Sequence, residues 1–372
     1  MLRAVTMRWC LLCLMLVSCT ETKPAVRMGP KPRVGLPGLN APAPQRMRIH
    51  AIDVGQGAAT LLEFPCAAVL IDTGGESTLH FDATRALKTY LEGFFARRAD
   101  LNRTFAAVFI THPHIDHTRG LPLVMKDFTV QHLVTNGRPR GPDGLVFESG
   151  GEQQENAEKQ AEARGELRRV SRSEIPSGEG VTDAFIDPVA CPDVDPKISV
   201  LWGGMDKNVE AWEPRVFANA NNHSLVIKVE LDGHPILITG DLETEAIGAL
   251  LAAHGTTLNS DVYFVGHHGS HNGTTFALMK AVTPCMGIIS MGDYERQEEW
   301  TAWAYGHPRK KAVDTVTEAL GCARATKEVE VATRPREFER FTENRALYGT
   351  GWEGTIVVEQ STHGGWRATT ER

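Results

Sequence analysis

THPHIDHTRG, residues 111–120, places His112, His114, Asp116 and His117 within six positions, directly after the apolar run AAVFI (106–110). Neutral imidazole and carboxylate are the donors that suit zinc and similar divalent ions. Two histidines two apart on an extended segment project to the same side, so His112 and His114 can grip one ion. Asp116 and His117 follow where the chain turns. Adjacent residues there cannot all face the first ion, which implies a second ion nearby. The competing reading is a set of solvated surface histidines, but four donors in six residues are more than a polar loop at the end of a buried strand needs.

The same pattern recurs outward from this stretch. MRIHAI leads into DVGQG (53–57), AAVLI into DTGG (72–75), HPILIT into GDLE (240–243), DVYFV into GHHGS (266–270), and GIIS into MGD (291–293). Short Val- and Ile-rich runs without strict alternation predict strands buried on both faces, with chemistry at their ends. DLETEAIGALLAAHG, residues 241–255, reads as a helix: its apolar residues recur at helical spacing, acidic residues sit in the first turn, and Gly255 is a natural stop. Strands with intervening helices make the chain α/β. If the strands run parallel, Asp241 and the pair His267 and His268 reach the same sheet edge as the first cluster. Asp241 suits a carboxylate bridging two ions, and equally an N-cap of the helix that follows. For the histidine pair the bland alternative is one core and one exposed imidazole.

Composition limits the rest. The chain has 372 residues, ordinary apolar content and a formal charge of -7. An acidic surface argues against broad electrostatic capture of nucleic acid, so a polyanionic substrate needs a local basic patch. Residues 1–18 carry Arg3, Arg8 and the run WCLLCLMLV, which is the size of a signal-peptide core and too short for a mature transmembrane helix. The run ends in LVSC, a lipobox-like stretch that would leave Cys19 as a lipidated N-terminus. Residues 19–46 are rich in Pro and Gly and read as an extended tether. The expectation is an exported protein anchored to a bacterial membrane through lipid at Cys19, on the periplasmic or cell-surface side, with its domain at 47–372. Of the four remaining cysteines, Cys66, Cys191, Cys285 and Cys322, none makes a CxxC motif. Buried thiols or at most one disulfide are expected, not a metal site.

In order and context, DVGQG, IDTGG, THPHIDH, NNHSLVIKV, LITGDLE, VGHHGS, ISMGD and YGHP resemble the metallo-β-lactamase fold, specifically the extracytoplasmic hydrolase domain at the C-terminus of the competence protein ComEC. The resemblance covers about residues 47 to 360 and implies an αββα sandwich of two mixed sheets flanked by helices. It also implies that His112 and His114 bind one ion, that Asp116, His117 and His268 bind a second, and that Asp241 bridges them. His267 becomes a neighbouring or phosphate-contacting group. Asp72 becomes a residue that orients a ligand histidine, although a turn aspartate before two glycines reads the same way. Asp53, Gln56 and Gly57 would form a tight structural loop under the site.

The departures carry information too. The ComEC group often has Asp where this chain has His114, and the extra imidazole favours zinc, with manganese still possible. Ala58 stands where that group usually has Asp, and Thr118 and Arg119 replace paired glycines. Arg119 is either a contact for an anionic substrate or solvated. His223 stands where many relatives place a further ligand histidine, but in the ComEC-like pattern that position is variable and a neighbouring Asn or Ser occupies the space, so the resemblance leaves its role open. Two ions would lower the pKa of a bridging water to give hydroxide at neutral pH and offset charge on the attacked group, with Asp116 beside the reacting centre. YGHPRKK (305–311) puts His307 beside Arg309, Lys310 and Lys311: if His307 reaches the site it protonates a leaving group while the cations hold phosphate, and otherwise the stretch is a solvated basic turn. This favours a phosphodiester substrate, possibly DNA, with no protein partner. An amide or ester hydrolase of β-lactamase type and a non-catalytic DNA- or envelope-binding module are the alternatives. A polar insert at about 138–197 reads as an exposed helix, a lid, or disorder. Trp352 and Trp366 read as packing residues of a closing hairpin.

Overall fold

Alternate side chains of the central strands enter different cores. Val69, Ile71 and Phe109 pack inward, while Ala68, Leu70, Val108 and Ile110 face outward. This is why the runs lack polar alternation: both faces of each sheet are covered. The computed structural model describes residues 35–372 except 142–143, 146–148, 209 and 362–364. The leader, Cys19 and the start of the tether lie outside the described residues.

The strands that build the two large sheets are β1 (Arg48–Ala51), β2 (Thr60–Glu63), β3 (Ala68–Ile71), β4 (Ala107–Ile110), β5 (Leu133–Thr135), β6 (Leu167–Arg169), β7 (Lys197–Trp202), β8 (Val226–Leu231), β9 (His234–Ile238), β10 (Val262–Phe264), β11 (Met286–Ile289), β12 (Leu347–Gly349), β13 (Ile356–Gln360) and β14 (Trp366–Thr370). An eight-stranded sheet runs β14-β13-β1-β2-β3-β4-β5-β6 and a six-stranded sheet runs β12-β11-β10-β9-β8-β7. β3 to β6 pair in parallel, as do β9 to β12; the remaining pairings in both sheets are antiparallel. The inner core joins side chains of both sheets, such as Ile49, Val69 and Phe109 with Ile227, Ile236 and Phe264. The helix Ala83–Arg97 covers the outer face of the larger sheet. The helices Thr244–His254, Phe276–Val282 and Lys310–Ala319 cover that of the smaller one. The result is the α/β, helix-sheet-sheet-helix sandwich.

Three sequence expectations change. Part of the stretch read as tether belongs to the domain: Leu36 and Leu39 pack on the outer core, the Tyr90 hydroxyl donates to the Pro37 carbonyl at 3.0 Å, and Arg48 donates to the Pro42 carbonyl at 3.0 Å. The polar insert is structural. Its helix Gly151–Arg164 buries Gln154, Ala157, Glu158 and Ala161, and its strand β6 extends the sheet. The polar residues it buries take part in hydrogen bonds: Thr135 donates to Glu158 at 2.7 Å and Gln154 donates to it at 2.8 Å. The cysteines form two bridges rather than at most one, Cys66–Cys191 and Cys285–Cys322. The pairs are 125 and 37 residues apart, so only the fold brings each together. Trp352 and Trp366 pack against the cores, with their indole nitrogens donating to Glu330 and Asp261.

Candidate metal centre

Parallel pairing puts the ends of β3, β4, β9, β10 and β11 at common edges, and the chemistry-bearing residues follow those ends directly. Asp72 follows β3, His112 lies two residues after β4, Asp241 three after β9, His267 and His268 after β10, and Ser290 after β11. The HPHIDH stretch turns at once into a short helix, Ile115–Thr118, which carries Asp116 and His117 and brings the His117 ring to 4.2 Å from that of His112 between centroids. Gly74 allows the DTGG loop to lie against this turn, since a Cβ there would overlap the Asp116 carbonyl oxygen.

The ligand candidates converge. His112 Nε2 lies 3.2 Å from His114 Nδ1 and 3.9 Å from Asp241 Oδ2. His117 Nε2 lies 3.3 Å from Asp241 Oδ1 and 3.2 Å from His268 Nε2, and His268 Nε2 lies 3.2 Å from Asp116 Oδ2 and 3.3 Å from Asp241 Oδ2. Donor atoms of Asp116, His117, Asp241 and His268 all fall within 4.8 Å of one another. Asp241 is therefore central to both groups. It does not cap the following helix, whose N-cap is Glu243.

Hydrogen bonds behind the ligands fix their orientation. Asp72 Oδ2 lies 2.7 Å from His117 Nδ1, and Asp72 also accepts from the Thr111 amide and hydroxyl, each at 2.8 Å. His268 Nδ1 donates to the Ser290 carbonyl at 2.7 Å. With both Nδ1 atoms carrying hydrogen, two Nε2 lone pairs and two carboxylates face one another, an arrangement that repels itself unless a positive charge lies among them. Burial alone lowers the His268 imidazole, but Asp241 and Asp116 outweigh it and push it up to about 10; His117 is raised by Asp241 and Asp72 against the same burial. A proton or a metal cation meets that demand, and the donor set fits a divalent metal. Because Asp72 orients rather than ligates, Asp72→Ala is expected to weaken metal affinity by about 10- to 100-fold with the fold intact, checked by titration against a competing chelator.

The other predicted residues fall on two sides of a line. His267 borders the cluster, with Nε2 3.8 Å from Asp241 Oδ2 and Nδ1 3.7 Å from Glu243 Oε1. His307 shares the same cleft, a cavity of about 540 Å³ also lined by His114, Asp116, Asp241 and His268. Gln56 accepts from the Gly292 amide at 3.3 Å, which leaves its NH2 to donate to His307 Nδ1 at 3.0 Å and assigns the hydrogen of a neutral ring to Nε2. Burial, then the charges of His267 and His268, hold the His307 imidazole well below its usual value. His223 leaves the ligand set: Nδ1 accepts from the Met205 amide at 3.1 Å and Nε2 donates to the Phe217 carbonyl at 2.7 Å, so neither nitrogen is available. Arg309 and Lys310 are diverted as well. Arg309 donates to the Tyr305 and Thr333 carbonyls, and Lys310 pairs with Asp314 at 3.0 Å. The arginine that lines the cleft is Arg119, fixed by a 2.7 Å bond from Nε to the Gly75 carbonyl. The sequence reading gave Gln56 only a loop role and missed Ser290 as a partner; one contact spans 251 residues and the other uses a main-chain oxygen, which no residue type signals.

Comparison with known proteins gives an independent view. Residues 52–292 match the family model described as the metallo-beta-lactamase superfamily. Among curated relatives, ComE operon protein 3 of Bacillus subtilis is 26% identical over 278 residues, covering 71% of this chain and 30% of that protein. Competence protein ComA of Neisseria gonorrhoeae is 31% identical over 115 residues, covering 31% of this chain and 16% of that one. The chain thus spans a third or less of the length of these relatives. The metallo-beta-lactamase fold protein YhfI of Bacillus subtilis superposes with a TM-score of 0.38 at 8% identity, covering 74% of this chain and 94% of that one.

Proposed function

From the premise that this chain belongs to the metallo-beta-lactamase superfamily of metal-dependent hydrolases, we propose that it is an exported phosphodiesterase or nuclease with a dinuclear centre. The observation that carries the reading is Asp241, shared between the His112 and His114 group and the Asp116, His117 and His268 group. When bound, divalent ions there supply charge neutralisation for an attacked phosphoryl oxygen and activation of water at neutral pH. The imidazole-rich donor set favours zinc over manganese.

The protein's own groups do the rest. Asp72 and the Ser290 carbonyl hold two ligand rings in one tautomer, and the Cβ-free approach of Gly74 seats the helical turn that carries Asp116. Arg119, held by Gly75 at the cleft wall, offers its terminal guanidinium nitrogens to a phosphate oxygen. His307, with its hydrogen on Nε2, is placed to donate a hydrogen bond to a phosphoryl or departing oxygen. A phosphodiester, rather than an amide, is favoured by Arg119 and by the likeness to proteins named for competence. Two disulfides favour an oxidising compartment, in keeping with the leader and the lipid anchor at Cys19 read from the sequence.

The test is direct. Purified mature protein is assayed for metal content, then for hydrolysis of single- and double-stranded DNA, bis-p-nitrophenyl phosphate and nitrocefin with zinc or manganese. Phosphodiester cleavage is expected; nitrocefin turnover without it overturns the reading in favour of a β-lactamase-like hydrolase. Palmitate labelling of the wild type but not of Cys19→Ala is expected for the anchor.

A further inference from the structure

One wall of the cleft is aromatic. Ring centroids step from Trp300 to Tyr305 at 6.3 Å, from Tyr305 to His307 at 5.7 Å with planes 18° apart, and from His307 to His268 at 6.2 Å. Trp300 is 72% exposed and Tyr305 40%, and neither belongs to any of the three hydrophobic cores among the described residues. An indole left in water needs a reason, because Trp is ordinarily buried for most of its surface. Its backbone adds one: Trp300 has φ +66, a conformation that bulky side chains rarely adopt and that persists only where neighbours impose it. Those neighbours are present. Arg296 is ion-paired to buried Glu76, and Thr301 donates to the Glu298 carbonyl at 2.7 Å while capping the helical turn Ala302–Tyr305.

We infer that Trp300 and Tyr305 form a stacking ledge for a nucleobase next to the scissile phosphate, which makes single-stranded nucleic acid the preferred substrate. This rests on the phosphodiesterase reading above. Among the described residues lining the cleft, Arg119 is the only Arg or Lys, and the chain as a whole carries a charge of -7. Beyond the scissile phosphate the cleft therefore offers few cations to hold a strand, and its affinity for the rest of the substrate needs another source. Stacking supplies it without regard to sequence, since every base has a π-face. In a duplex those faces are covered by neighbouring base pairs and cannot reach a ledge; in a single strand they are free.

The experiment uses the full-length, metal-loaded protein with an end-labelled single-stranded oligonucleotide, the same oligomer made abasic, and the duplex. Trp300→Ala is expected to lower kcat/KM on the base-containing strand about tenfold, while Trp300→Phe keeps most of it. The abasic strand should be cleaved slowly and at the same rate by wild type and Trp300→Ala. Unchanged metal content and melting temperature establish that Trp300→Ala is folded. Equal cleavage of the base-containing strand by wild type and Trp300→Ala overturns the ledge and leaves the phosphodiesterase reading standing. If the wild type cleaves no phosphodiester, that reading fails, and the ledge is decided by fluorescence anisotropy with the same oligomers: weaker binding of the base-containing strand by Trp300→Ala supports it, and equal binding overturns it.

Discussion

Replacing Asp241 by Ala is expected to remove metal from the protein and to abolish hydrolytic activity. The carboxylate lies within 3.3 Å of both His117 Nε2 and His268 Nε2 and 3.9 Å from His112 Nε2, so one substitution touches both ligand groups. Loss of a group that only orients a ligand weakens metal binding or activity by about 10- to 100-fold; loss of the shared ligand itself should exceed the upper end of that range. Mass spectrometry of the purified variant is expected to show the metal content of both positions falling together. Asp241→Asn, which keeps the shape and removes the charge, should fall almost as far, because the need for anionic charge among converging imidazoles is what the residue meets. Full metal content in either variant would remove Asp241 from the centre.

Glu63→Gln is expected to cost about 3–5 kcal/mol of stability, the usual loss when one partner of a buried charge network is removed, with a fall in Tm on the order of 10 °C. Glu63 is fully buried at the end of β2 remote from the GQG loop. Its carboxylate receives Arg97 at 2.7 and 2.9 Å, Arg98 at 2.9 Å, Arg48 at 3.0 Å and His50 at 3.1 Å. Burial alone would raise its pKa, but the bonds from His50, Arg97 and Arg98 dominate and hold it far below the carboxylate range. A depressed folded-state pKa gives stability that is complete above the unfolded carboxylate value of about 4.3 and is lost as pH falls below it. Thermal melts of wild type should therefore decline with acid over that window, and those of Glu63→Gln should decline less. Metal content per folded molecule should not change, which separates this network from the centre. A variant that melts with the wild type at pH 7 would show that the cluster adds no net stability.

Much of the candidate site was legible because its residues sit next to strand ends and announce themselves by type. His112, His114, Asp116 and His117 lie in one stretch, and Asp241, His267 and His268 follow apolar runs that fit buried strands. Position along a strand then does the rest, since parallel neighbours share an edge. The misreadings have one cause. YGHPRKK looked like a single basic cluster, yet Arg309 is taken by the Tyr305 and Thr333 carbonyls and Lys310 by Asp314, while Arg119 lines the cleft. The sequence left the role of His223 open, and the Met205 amide and the Phe217 carbonyl use both its nitrogens. Adjacency in sequence says which groups are near one another, not which competing partner each will bond.

By itself the sequence determined the α/β class and the strand-end placement of the ligand candidates, because periodicity and residue type act locally. Only the tertiary structure decided which cysteines pair, that Gln56 holds His307, that Asp72 and Ser290 orient the ligand rings, and that Trp300 and Tyr305 share a wall with the metal ligands. These contacts join segments tens to hundreds of residues apart, and their geometry is set by how two twisted sheets pack, which no local pattern encodes.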